Sequence, residues 1–338
     1  MFLVIDGSSM LVTNYYGNLP REIIFEKDEE KKKNYYHKIM HTSKGVYTNA
    51  VYGMLRTILK IVREQQPEYL AIVFDKSRDT FRREMYADYK GTRKETPDPL
   101  KQQFMLMEEI IQKLGLQMLI SDNFEADDLA GSVIRKFESP DLSMRFLTKD
   151  HDYLQLVSRY TRGWMVQTKQ ESADALFLKY GISESDSTIA NLPDKVFEFT
   201  RAHVYKEEGV YPENIVDLKG ICGDTSDNIP GVKGVSSAAA PLINEYGSVE
   251  QIYKVIEACP SEKEQKELAK YWKEKLGINR SPIKALLENK ENAFLSKKLA
   301  TIVTDVSVPD ELETYRCCLN EDALNQIIRE LEFKSLEK

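Results

Sequence analysis

The chain has 338 residues, 42% hydrophobic and 30% charged, enough to bury a full core in one large domain with a smaller one beside it. No apolar run reaches membrane-spanning length, and the start MFLVIDG turns acidic too soon for a secretory leader, so a cytoplasmic protein with no membrane partner is expected. A net charge of −7 argues against indiscriminate nucleic-acid binding, and Cys222, Cys259, Cys317 and Cys318 lack CxxC or Cys/His spacing, so they read as reduced core thiols.

Residues 2 to 5, FLVI, read as a short buried strand that stops at Asp6-Gly7-Ser8-Ser9, a strand followed by a turn. From Gly17 to Lys44 the periodicity is lost and EKDEEKKK suggests a solvated insertion or mobile loop. Val51, Leu55, Ile58, Leu59 and Val62 share one face of a helix over Asn49 to Arg63, which Pro67 ends. Tyr69 to Phe74 is the next strand, and it also stops at an aspartate, Asp75.

Between Lys76 and Lys94 lie seven basic residues against three acids, with Phe81, Tyr86 and Tyr89 interleaved. An exposed charged helix face explains that composition equally well, but directly after a strand-end acid it is a candidate phosphate clamp with rings for stacking on unpaired bases. Leu100 to Leu114 reads as a core helix with a methionine-rich side, and Gln117 to Ser121 as a third strand. Phe124 to Leu154 then carries two acid clusters: Glu125, Asp127 and Asp128 open a helix over Leu129 to Phe137, and Asp150 and Asp152 follow the strand from Met144 to Thr148. Acids in a helix's first turn complement its dipole and need no other reason. Three strands that each end in Asp go beyond that: ligands gather at the carboxyl ends of parallel strands, and crowded carboxylates call for hard cations with oxygen ligands. His151, between two of these acids, is turned away by strand-end alternation.

A fifth strand is expected from Gly163, whereas 169 to 209 is polar and hard to register. In residues 220 to 235 Asp224 and Asp227 stand three apart, on one face of a helical turn, before a Gly231 to Gly234 turn whose N–H groups can approach phosphate. Helices follow over 238 to 253, 263 to 276 and 285 to 300, and 312 to 319 reads as an edge strand. The class is therefore α/β, with a mostly parallel sheet.

The ordered set IDGSS, TNAVYG, FD, FRREMYADYKGTR, EADDLAG, TKDHDYLQL, GDTSDNIPGVKG and FLSKKLATIVTDV, with LEF near the end, resembles the 5′ nuclease family of bacterial DNA polymerase I amino-terminal domains, phage 5′ exonucleases and flap endonucleases. The resemblance implies a central twisted sheet flanked by helices, with a helical arch at about 76 to 100. It implies a nuclease domain over 1 to 217, a helix-hairpin-helix-like DNA-binding module over 218 to 290, and a C-terminal segment over 291 to 338 that packs back on the first. It also implies metal-dependent, structure-selective hydrolysis of DNA at 5′ ends and 5′ flaps by a two-metal mechanism with Mg2+ or Mn2+ and no nucleophilic side chain. By that resemblance Asp6, Asp75, Glu125 and Asp127 match the first-metal group, Asp152, Asp224 and Asp227 the second, and Asp128 and Asp150 sit between. Setting those nine acids aside takes the formal charge from −7 to +2, which suits a DNA partner. Lys90, Arg93 and Arg82 match basic residues that neutralise the scissile phosphate, and Tyr89 the stacking aromatic. Gly231, Lys233 and Gly234 match the turn that grips the duplex, in relatives together with a monovalent cation such as K+.

The chain departs from the family in two places. Thr13 stands where an arginine is usual, and Ser236-Ser237-Ala238 replaces a glycine and lysine pattern, which predicts weaker duplex affinity and a shallower salt dependence. RNA primers are an alternative substrate, and a DNA-binding module without turnover is the alternative from another class. A monomer is the default expectation.

Overall fold

The structure is a computed structural model that describes residues 1–77, 79–183 and 192–337. Six strands form one sheet: β1 (Phe2–Asp6), β2 (Tyr69–Asp75), β3 (Gln117–Ser121), β4 (Met144–Thr148), β5 (Thr161–Val166) and β6 (Val196–Phe199). Their order is β3-β2-β1-β4-β5-β6, parallel throughout except for the β5–β6 pair. The chain works outward from β1 to one edge and then crosses back to β4, so the order reverses between β1 and β4. The crevice outside the carboxyl ends at such a switch point is where open α/β sheets bind ligands.

Apolar runs without polar alternation dictate a sheet covered on both faces. Phe2, Val4, Tyr69, Ala71 and Val73 enter one core, while their alternating neighbours Leu3, Ile5, Leu70, Ile72 and Phe74 enter the other. Helices Gly7–Gly17, Asn49–Glu64, Asp98–Lys113 and the C-terminal Glu321–Glu330 contribute to the second core, whereas Ala126–Phe137 and helices between β6 and residue 300 contribute to the first. Helix Gly7–Gly17 starts on the residue after β1, and Asp6 caps it by accepting the Ser9 N–H at 2.9 Å. Gly7 is needed at that junction because a Cβ there would lie 2.5 Å from the Phe74 ring.

Several expected elements differ. The stretch from 18 to 44 contains two short helices, Arg21–Phe25 and Glu29–Lys33, rather than only loop. Within 169 to 209 lie helix Gln170–Tyr180, strand β6 and helix Arg201–Glu208; residues 184–191 fall outside the described residues. The expected edge strand at 312 to 319 is a helical turn, Leu312–Tyr315, with a single bridge between Tyr69 and Arg316. The long C-terminal helices are interrupted, giving Ser236–Tyr246 and Val249–Glu257 around Gly247, and Ile283–Glu288 and Lys290–Ala300 around Asn289. Cys222 and Cys318 are exposed rather than in the core, and all four cysteines are free thiols. No helix among the described residues is long and apolar enough to cross a membrane.

Candidate active site

Parallel register brings the ends of β1, β2 and β4 to one edge of the sheet. Asp6 ends β1 and Asp75 ends β2, and Asp150 follows β4 by two residues. Thr148 links two of them: its hydroxyl donates to Asp6 Oδ2 at 2.7 Å and accepts the Asp150 N–H at 3.0 Å. Asp75 Oδ1 accepts the Ala126 N–H at 2.9 Å, which joins the end of β2 to the start of helix Ala126–Phe137. Burial pushes the Asp6 carboxyl up to about 7, and the charges of Asp75 and Asp150 act in the same direction. Asp150 is raised as well, by burial and by Asp227, against Lys219, Lys90 and Arg93. These acids, far apart in sequence, share one electrostatic neighbourhood.

The first acidic cluster is closed by Arg82, which is 1% exposed. Its Nε donates to the Leu299 carbonyl at 2.9 Å and its Nη2 to the Thr301 carbonyl at 2.8 Å. Nη1 and Nη2 hold Asp128 in a bidentate pair at 2.7 Å each, and Nη1 also reaches Glu125 at 3.3 Å. Asp128 further accepts the Glu125 N–H at 3.1 Å and the Val303 N–H at 2.8 Å. Four donors fill the four lone-pair directions of that carboxylate, leaving none for a metal ion. Two expectations are corrected here: Arg82 is a buried clamp between the acidic helix and the segment after helix Lys290–Ala300, not a phosphate-facing cation, and Asp128 is its counter-ion.

The second cluster is held by less buried cations. Lys219 pairs with Asp152 and, at 2.7 Å, with Asp224. Against the cost of burial, Lys219 and the Ser226 hydroxyl pull Asp224 down to about 2. Lys90 Nζ lies 2.8 Å from Glu125 and 3.7 Å from Asp227, so it spans the two clusters, and Arg93 pairs with Asp227. Lys90 adopts φ +54°, a left-handed backbone unusual for lysine, while its N–H donates to the Asp227 carbonyl at 2.9 Å. The segment after the short helix Phe81–Met85 is thereby pinned to the turn at Asp224–Asp227, an attachment strengthened by Asn228 donating to the Asp88 carbonyl at 2.8 Å.

Two further residues differ from expectation. Tyr89 is 3% exposed, and its hydroxyl donates to Glu125 at 3.1 Å and Asp227 at 3.3 Å, so no ring face is free for a base. The Gly231 N–H donates inward to Ser296 Oγ at 2.9 Å, and its φ of +60° with close packing against Gly223 excludes a side chain. Lys233 and Gly234, by contrast, are exposed. His151 points outward to Glu208, away from the acids. Sequence reasoning missed Lys219 and Thr148; a lysine five residues before Asp224 and the Thr of TKD were the signals available.

The donor set suits a hard divalent cation: it is all carboxylate oxygen, at the open end of a parallel sheet. Asp127 Oδ1 is buried and accepts no hydrogen bond, and burial, with Asp128 and Glu125 nearby, pushes that carboxyl well above the usual range despite Arg82. Among the described residues no three of these acids stand close enough to share one ion, and protein cations lie among them. Ligation therefore requires Lys90 and Lys219, both on flexible stems, to give way.

Comparison with known proteins matches two family models along the chain. Residues 1–181 match the 5′-3′ exonuclease N-terminal resolvase-like domain and residues 210–322 the 5′-3′ exonuclease C-terminal SAM fold. The 5′-3′ exonuclease of Aquifex aeolicus is 32% identical over 339 residues, covering 99% of this chain and 93% of that protein. The DNA polymerase I of Caldicellulosiruptor bescii is 33% identical over 299 residues, covering 88% of this chain but only 30% of the polymerase. Among solved structures, phage T5 5′-exonuclease with bound divalent zinc aligns with TM-score 0.57 at 18% identity, covering 98% of this chain and 97% of that one. The catalytic core of Rad2 in complex with DNA substrate aligns with TM-score 0.53 at 14% identity, covering 98% and 87%.

Proposed function

This chain belongs to the 5′-3′ exonuclease family, and from that premise we propose that it is a metal-dependent, structure-selective 5′-3′ exonuclease and flap endonuclease that hydrolyses DNA phosphodiesters. The observation that carries the reading is the meeting of Asp6, Asp75 and Asp150 at the ends of β1, β2 and β4, near enough for two of them to help push the third to about 7. Asp6, Asp75, Glu125 and Asp127 would hold one divalent cation, and Asp150, Asp152, Asp224 and Asp227 a second. Bound there, Mg2+ or Mn2+ would supply water activation and charge stabilisation at the phosphate and the leaving oxygen.

The chain's own residues supply the rest. Lys90 and Arg93, bound to Glu125 and Asp227, are the cations placed to exchange those carboxylates for a substrate phosphate. Thr148 orients Asp6 and Asp150 together, and Arg82 fixes Glu125 from behind. Exposed Lys233 and Gly234, before helix Ser236–Tyr246, present a duplex-backbone contact distant in sequence from the acids.

A labelled 5′ flap incubated with Mg2+ or Mn2+ tests the proposal. Cleavage near the junction that chelator abolishes is expected. Flap binding without a cut under either metal would overturn the catalytic reading in favour of a binding module, and a cut confined to RNA 5′ ends would replace the DNA substrate with a primer.

A further inference from the structure

The basic segment between β2 and helix Asp98–Lys113 rests on a small apolar cluster of its own, apart from the two cores on the sheet faces. Tyr89 is buried there with Ile229, Leu299 and Ala300, and Met85, Tyr86 and Leu295 pack at the edge. Lys90 comes next, third in a turn that the Gly91 N–H closes on the Asp88 carbonyl at 2.9 Å. When φ is positive at that place in a turn, glycine or asparagine is the usual occupant, yet here a lysine has φ +54°. A strained backbone of this kind persists only where its surroundings hold it.

Two hydrogen bonds supply the hold, and both cross to the loop that Asp224 and Ile229 close by exchanging backbone bonds. The Lys90 N–H donates to the Asp227 carbonyl at 2.9 Å, and Asn228 Nδ2 donates to the Asp88 carbonyl at 2.8 Å. One bond thus sits on the strained residue itself and the other on the carbonyl that begins its turn. With the turn held in this way, Lys90 Nζ lies 2.8 Å from Glu125. Asn228 also has a positive φ, +57°. A glycine would satisfy that backbone at least as well, but it could not donate.

We propose that Asn228 is a positioning residue: its amide holds the Asp88–Gly91 turn against the Asp224–Ile229 loop, so that Lys90 faces the acids and, with substrate bound, its phosphate. The proposal rests on the nuclease reading of the site and adds to it the residue that aims the lysine.

The test uses the full chain. Asn228→Gly keeps the left-handed backbone and removes the donor, whereas Asn228→Ala loses the donor and strains the backbone as well. In metal-free protein, amides from Tyr86 to Arg93 should exchange with solvent about fivefold faster in Asn228→Gly, the scale of one neutral hydrogen bond, while those of β4 keep the wild-type rate. With a labelled 5′ flap and Mg2+, kcat should fall about fivefold with KM within about twofold of wild type, as loss of an interaction made at the reacting phosphate does. Wild-type exchange and turnover in Asn228→Gly would overturn the role, even with Asn228→Ala impaired, because the backbone angle alone would then matter. In a Lys90→Ala background, Asn228→Gly should lower turnover no further; full additivity would overturn the route through Lys90. No cleavage by the wild type would overturn the nuclease reading instead, and the exchange measurement, which needs neither metal nor flap, decides the Asn228 contact independently.

Discussion

The two acidic clusters are built from the same residue types and held by opposite means. Around Asp128 the counter-charge is one arginine, 1% exposed, whose fork also reaches Glu125 and is locked to the carbonyls of Leu299 and Thr301. Around Asp152, Asp224 and Asp227 the counter-charges are Lys219 and Lys90, both partly exposed, and the more open Arg93. A planar fork with every donor assigned is architecture, whereas an ammonium on a four-carbon stem is exchangeable. The Arg82 clamp on Asp128 is thus fixed, and the acids held by the lysines are adjustable.

The sharpest way to break this contrast is to remove the fixed cation. Arg82→Ala strands Asp128 in the core without its counter-charge, leaves Glu125 to Lys90 alone, and should lower stability by about 3–5 kcal/mol in urea unfolding. A loss below about 1 kcal/mol would place Arg82 among the exchangeable cations instead. Next in size, Asp150→Ala should leave the unfolding midpoint near wild type but cut turnover about a thousandfold, with Lys90→Ala nearer tenfold. Asp128→Asn should do the reverse, losing stability while each folded molecule keeps its turnover. Equal effects of Asp150→Ala and Asp128→Asn on turnover would erase the distinction between ligand and counter-ion.

That distinction also marks where sequence reading stops. Strands β1 and β2 were legible because both faces are buried, which leaves unbroken apolar runs against which the terminal Asp6 and Asp75 stood out, and β4 because Asp150 follows its apolar residues by two positions. Arg82 and Lys90 looked alike, two cations beside aromatic residues in one basic segment. What separates them is the Leu299 carbonyl, 217 residues away, which no local pattern reveals. Strand β6 was hidden for a different reason. Only four residues long, it is broken by Glu198, a buried charge whose partners Arg145, Arg162 and Trp164 lie on β4 and β5, so no unbroken apolar run marks it.

A smaller effect tests the adjustable side. If Lys219 holds Asp152 and Asp224 in competition with a cation, Lys219→Met frees both carboxylates and should tighten Mn2+ binding by about fivefold, the scale of a partly exposed ion pair. Weaker Mn2+ binding in this variant would mean that Lys219 organises the acids, and the second cluster would then be as fixed as the first.

The smallest predicted effect concerns the two departures from the family, which the structure separates. Ala238 is 3% exposed within helix Ser236–Tyr246, so a lysine head group there would have to escape the core before it met a phosphate. Thr13 is half-buried on helix Gly7–Gly17, whose first residue follows Asp6 directly, so an arginine fork at position 13 has a route to solvent beside the acids. Thr13→Arg should therefore strengthen flap binding and steepen its dependence on salt by about one unit in the log–log slope, as one added phosphate contact does. Ala238→Lys should leave the slope unchanged and lower stability. A steeper slope from Ala238→Lys and none from Thr13→Arg would put the missing phosphate contact at the duplex-binding turn rather than beside the carboxylates, and the adjustable electrostatics of this protein would then extend well beyond its second acidic cluster.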